Sequence, residues 1–206
     1  MPEGGAGSRA GSGQQRAVER RAAIVEGAVA ILLRDGTGSV THRAVAAEAQ
    51  VPLASIRYYF ETREALLLAC IDHLDRERSD EARRALVDAG ALSREGARLS
   101  APDVALLLLR VYDGPDTSDD ALRGSVGWVL DCARESPALS TRLAQMRAAL
   151  DLQVRELLDL VGRASVDTGT VGAVVDGTVF TACVERRAGI ADRVVAELAR
   201  VLDPPG

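Results

Sequence analysis

A chain of 206 residues, 47% hydrophobic and 27% charged, has the makeup of a globular protein with one or two buried cores. Aromatic residues make up only 3% while Ala, Leu, Val and Arg dominate, a mixture that favours helix over sheet. Every cationic residue is arginine, which excludes Walker-type phosphate loops and Schiff-base chemistry, and no uncharged run exceeds eight residues, against the roughly 20 that a membrane helix needs.

In chain order, residues 1–14 (MPEGGAGSRAGSGQ) lack the apolar stretch of a signal peptide and read as a disordered tail, so the expected location is cytoplasmic. Ala17 to Arg34 reads as an amphipathic helix ended by Asp35-Gly36. Thr41 is a competent cap for a short second helix that buries Val45 and Ala49. Gln50-Val51 is a brief break, and Pro52 opens a third short helix through Tyr59. A longer helix follows from Glu64, with Leu66, Leu67, Cys70, Ile71 and Leu74 inward and Ser79 either breaking it or lying on its surface. Residues 89–100 read as a link.

Ser100-Ala-Pro-Asp103 has the form of a capping box and starts a helix to about Tyr112, which the turn Asp113-Gly-Pro115 closes. Ser118 and Ser136 cap the next two helices, the second reaching about Val161. Asp167 to Arg187 and Ile190 to Leu202 complete an all-α chain, with no alternating strand pattern of useful length.

The net charge of −5 is unevenly placed, with residues 1–63 at +2 and residues 64–206 at −7. A basic head on an acidic body suits a part that approaches phosphate. Within residues 40–67, VTHRAVAAEAQVPLASIRYYFETREALL, two short helices joined by a tight turn fit a helix-turn-helix. Val45, Ala46, Ala49, Val51, Ile56 and Phe60 would form its small core, leaving one face of the second helix free for a major groove.

The residues Thr41-x-x-Ala44-Val45-Ala46-x-x-Ala49-x-Val51 and Ser55-Ile56-x-x-Tyr59-Phe60-x-x-Arg63-Glu64-x-Leu66 resemble the DNA-binding domain of the TetR family of bacterial regulators, over roughly residues 20–67. The resemblance implies a three-helix DNA-binding domain at 15–63 and a helical effector-binding and dimerisation domain at 64–206. It implies phosphate contacts for Thr41, His42, Ser55, Tyr59 and Arg63, and base reading by Arg43, Leu53 and Ala54. Three departures stand out: Gln50 in place of the usual turn glycine, Pro52 in place of a polar cap, and Arg57-Tyr58 in place of a Tyr-His pair. Arg57 and Tyr58 are expected to add contacts of their own.

The implied partners are double-stranded DNA with a pseudo-palindromic operator, a second copy of the chain and a small-molecule effector, with no membrane. The function so implied is a ligand-responsive regulator, a repressor released from DNA by its effector. The alternative is a helical enzyme or protein-interaction scaffold with a non-DNA-binding hairpin.

Leu139, Leu143, Met146, Leu150, Val154, Leu157 and Val161 form an apolar stripe, and Gly169, Ala173, Gly177 and Thr181 recur every fourth residue. From these, Leu143, Leu150, Leu157, Gly169, Ala173 and Gly177 are expected at a dimer interface, and Tyr112, Trp128, Met146 and Phe180 at an effector pocket. Cys70-x-x-His73 places a thiol and an imidazole on one helical face, but the chain has only two histidines, so no metal is expected. Gly169-Thr-Val-Gly172 follows no strand and is no dinucleotide fingerprint. Neither a cofactor nor catalysis is expected.

Overall fold

The computed structural model describes residues 7–94 and 99–203, with side chains from Gly13 onward. All regular structure among the described residues is helical: α1 (Gly7–Asp35), a 3₁₀ turn (Thr37–Ser39), α2 (His42–Glu48), α3 (Leu53–Tyr59), α4 (Arg63–Arg94), α5 (Ala101–Asp113), α6 (Asp119–Glu135), α7 (Pro137–Leu160), α8 (Thr168–Val184) and α9 (Ile190–Leu202). None of the helices is long and apolar enough to cross a membrane among the described residues. The chain forms two compact units, residues 1–73 and 74–206, so α4 contributes to both, where the sequence places the boundary at 63.

In the first unit α1 begins ten residues before the expected start at Ala17, and part of the expected tail lies outside the described residues. Helix propagation from a formed segment adds one hydrogen bond per residue fixed, so even a glycine-bearing stretch can extend it. Ile24, Ala28, Ile31 and Leu32 of α1 are buried with Val40, Val45, Ile56, Phe60, Leu66, Leu67 and Cys70. Of the six residues expected in the small core, Ala49 and Val51 are only half-buried.

Gly27 is what lets α1 and α2 meet: a β-carbon there would come within 3.2 Å of the Ala49 Cβ and 3.3 Å of the Ala49 nitrogen. The signal for it was a lone glycine within an otherwise apolar helical pattern. Arg34 at the end of α1 reaches Glu48 of α2 at 3.2 Å, an exposed pair that contributes little.

In the second unit α5 is buried on most sides, with Val104, Leu108, Leu109 and Val111 packed among Leu122, Val154, Leu157, Leu158, Val171, Val175, Val194 and Leu198. Ala82, Ala85 and Ala89 bring the later turns of α4 against the same core. Helix α4 runs unbroken through Ser79, whose hydroxyl accepts a bond from Arg78.

Caps read from sequence set the helix starts: Ser100 and Asp103 form the capping box of α5, and Ser118, Ser136 and Asp167 accept backbone N–H bonds at α6, α7 and α8. Gly189 at the start of α9 has no such side chain. Asp119 of α6 supplies it from a distance, accepting the N–H of Gly189 at 3.0 Å and of Ile190 at 2.8 Å. Those backbone bonds hold the Asp119 carboxyl below its ordinary pKa.

Candidate nucleic-acid interface

The turn between α2 and α3 decides which residues reach solvent. Thr41 caps α2 by accepting the Ala44 N–H at 3.1 Å, as its sequence position predicts. Ala49 closes α2, Gln50 adopts φ 53° and Val51 returns its N–H to the Ala46 carbonyl at 3.0 Å. A left-handed conformation costs a side chain with a β-carbon roughly 1 kcal/mol or more, which is why glycine is favoured at such a turn. Gln50→Gly is expected to stabilise this unit by about 0.5–1 kcal/mol, part of the relief being offset by the greater freedom of glycine in the unfolded chain. Urea denaturation checks this, and a lower midpoint in the variant contradicts it.

Pro52 is the N-cap of α3, one position before its expected place in the first turn, and as expected it brings no side-chain acceptor. The Ser55 N–H bonds to the Pro52 carbonyl at 2.8 Å instead. Ile56 and Phe60 anchor the inner side of α3, and the Arg21 guanidinium lies 5.1 Å from the centre of the Phe60 ring. The outer side presents Leu53, Ala54, Arg57 and Tyr58, all exposed, with Tyr58 at 83%. Tyr58 and Tyr59 pack edge to face, 5.1 Å between ring centres, and Tyr59 and Ser55 are half-buried.

Thr41 and Arg43 are exposed at the start of α2. Among the described residues neither Arg43 nor Arg57 is in an ion pair, so both guanidinium groups present their charge to solvent. This is a small surface with two unspent cations, a phenol and two short apolar side chains. Such a surface suits phosphate oxygens and base edges.

Two other expected contact residues are engaged inside the unit. The His42 Nε2 lies 2.8 Å from the Phe60 carbonyl oxygen and must carry the proton to donate to it. Arg63 donates from Nε to the Val40 carbonyl at 2.9 Å and from a terminal nitrogen to the Thr37 carbonyl. It thereby pins the segment before α2 to the start of α4, a structural duty that the sequence reading missed.

The expected pocket and interface residues fall differently in the second unit. Tyr112 and Trp128 are buried and Met146 is half-buried, but Phe180 is 54% exposed and faces away from that core. Leu143, Leu150 and Leu157 are buried within their own chain, so they offer no free pairing surface; their stripe packs inward because α7 lies against α5, α6 and α8. Gly169, Ala173 and Gly177 are exposed and share one face of α8 with Phe180 and Val184. Cys70 and Cys132 are buried and Cys183 half-buried, all free thiols. Among the described residues no three His, Cys, Asp or Glu side chains are placed to hold a metal.

Residues 24–70 match the model of bacterial regulatory proteins, tetR family. Over these residues the chain is similar to the DNA-binding domain of that family. Solved structures agree along most of its length. The multidrug binding protein EbrR, solved with ethidium, is 25% identical, with 88% of this chain and 98% of that chain covered and a TM-score of 0.62. A TetR-family member from Streptomyces coelicolor A3 is also 25% identical, covering 89% of this chain and 98% of that one, with a TM-score of 0.61. A protein from Saccharomonospora viridis solved with choline shares the fold at 16% identity, covering 88% and 94%, with a TM-score of 0.66. No curated protein matches the sequence. The family match and these structures support a DNA-binding transcription regulator.

Proposed function

We propose that the protein is a homodimeric repressor that a small molecule releases from a pseudo-palindromic operator. In this reading residues 15–63 are the DNA-reading head and residues 64–206 the effector-binding and pairing body. The observation that carries it is the outer face of α3: Leu53, Ala54, Arg57 and Tyr58 exposed together, beside the exposed Arg43, with both arginines free of carboxylates among the described residues. Thr41, Ser55 and Tyr59 border that face and supply hydroxyls for phosphate.

One such head makes few contacts, and two held about 34–36 Å apart read successive major grooves. The exposed row Gly169, Ala173 and Gly177 on α8, with Phe180 and Val184 beside it, supports pairing with a second copy, since small side chains admit a close helix. Within the body, Tyr112, Trp128 and Met146 are the large side chains that support effector binding. The relatives solved with ethidium and with choline support the same reading.

The test is a gel shift with the DNA upstream of the protein's own gene, at two salt concentrations, alongside sedimentation of the free protein. A specific complex that weakens steeply with salt is expected. Arg43→Ala should lower affinity about 10–100-fold and relax base preference where it reads, as loss of a bidentate base contact does. Arg57→Ala should weaken binding to all duplexes and reduce the salt dependence by about one unit of slope. A monomer that ignores every duplex in dilute buffer overturns the proposal.

A further inference from the structure

The polar corner where α5 meets α7 and α8 holds a charge that the protein itself leaves unanswered. Tyr112 donates its hydroxyl proton to Asp176 Oδ1 at 2.7 Å. The Arg147 guanidinium bonds Asp176 Oδ2 at 3.0 Å and lies 5.0 Å from the centre of the Tyr112 ring. Asp176 therefore has its cation and a hydroxyl donor. Asp113, the next residue after Tyr112 and the last of α5, has neither. Its Oδ2 is buried and accepts no hydrogen bond among the described residues.

The charged group that bears on Asp113 is a second carboxylate, Asp176, and no arginine relieves it. A carboxylate taken out of water is retained in folded proteins when it is paired or neutralised. The guanidinium of this corner, Arg147, is already shared between Asp176 at 3.0 Å and Asp151 at 3.8 Å, which leaves it no charge to spare for Asp113.

We propose that Asp113 is the counter-ion of an organic cation, and that the regulator's effector is a compound bearing a single ammonium or delocalised cationic centre. The inference rests on the ligand-responsive reading above and narrows it to a chemical class. A metal ion is a poor occupant, because no third His, Cys, Asp or Glu completes a ligand set among the described residues. A delocalised cation is a good one, since Arg147 already lies over the Tyr112 ring in the same corner. Burial and the Asp176 charge push the Asp113 carboxyl up to about 7, so this carboxyl is partly protonated near neutrality. A bound cation would favour the ionised form and release that proton. Affinity must then rise with pH up to about 7 and level off above it, by roughly tenfold per unit at most. The other titratable or charged groups around this corner are Asp176, Tyr112 and Arg147, with Asp151 beside Arg147, and Arg78 of α4, which packs against Gly114 and donates to the Val111 carbonyl.

The experiment is calorimetric titration of the full-length chain with choline and with ethidium, at several pH values, against the uncharged carbon isostere of choline. The expected result is binding of at least one cation with uptake of charge and release of protons, and no binding of the isostere. Asp113→Asn, nearly isosteric and relieved of its charge, should lose at least about tenfold in affinity and all of the pH dependence below about 7. Equal binding of the uncharged isostere, unchanged affinity in Asp113→Asn, or a pH-independent affinity in the parent chain each overturns the proposal. If neither cation binds, the proposal also fails, and a gel shift on the same preparation shows separately whether the DNA-binding reading stands.

Discussion

Replacing Arg78 with alanine should destabilise the second unit by about 3–5 kcal/mol, the cost of breaking a buried ionic network from one side. The Arg78 side chain is 7% exposed and ties three helices through one guanidinium. One terminal nitrogen donates to the Val111 carbonyl of α5 at 3.2 Å and to Gln153 Oε1 of α7 at 2.7 Å. The other donates to Asp75 at 2.8 Å and Ser79 at 3.0 Å on α4. The Arg78 backbone is also the floor on which Gly114 turns. With φ at 95°, a β-carbon on Gly114 would approach the Arg78 Cα to 3.3 Å.

Burial alone would raise the Asp75 carboxyl, yet hydrogen bonds from Arg142 and Arg78 outweigh it and hold it below its ordinary value. Truncation to alanine strands the Val111 carbonyl and the Gln153 amide and leaves Asp75 with Arg142 alone. Arg78→Met should recover packing but not the hydrogen bonds, so it should fall between the parent and alanine. Guanidinium denaturation followed by circular dichroism measures both. A cost below about 1 kcal/mol for alanine would mean that the network is solvated and contributes little.

What the sequence made legible follows a physical rule: signals carried within a few residues could be read, and signals that need distant partners could not. Ser100 and Asp103 lie three residues apart and form their capping box as expected, and Thr41, Ser118, Ser136 and Asp167 cap the helices expected of them. The helix-turn-helix was legible for the same reason, since Ala46, the Gln50 turn and Ile56 sit within one short stretch. The structural role of Arg63 was not legible because its acceptors, the carbonyls of Thr37 and Val40, are 26 and 23 positions away.

The apolar stripe of α7 was correctly seen as apolar, but periodicity does not say what covers it. Leu143, Leu150 and Leu157 turned inward, and the small residues of α8 were left outside. Asp113 was legible only as a turn residue beside Gly114 and Pro115. Its burial depends on the elements packed around the end of α5, which no local pattern encodes.

That burial makes Asp113 the residue through which stability should respond most clearly to pH. Its carboxyl rises from 3.8 to about 7 in the folded chain, chiefly through burial and secondly through Asp176. Between those values the native state keeps a proton that the unfolded state has released, so stability falls as pH rises across that window. Above about 7 the whole penalty is present, and below about 4 none of it is. Asp113→Asn carries no such charge and should be more stable than the parent by about 2–4 kcal/mol near pH 8, with the difference vanishing near pH 4.

Asp75, Glu81, Asp116 and Asp119 are held below their ordinary values, so their contributions are present above about 4 and lost only in more acidic solution. They act equally in both proteins and cancel in the comparison. Thermal melts of parent and variant across this range measure the gap, and a gap that does not change with pH would mean the carboxylate is solvated or paired after all. A cation bound at Asp113 answers the same charge by another route. Saturating choline should therefore raise the melting temperature of the parent near pH 8 and leave that of Asp113→Asn where it was.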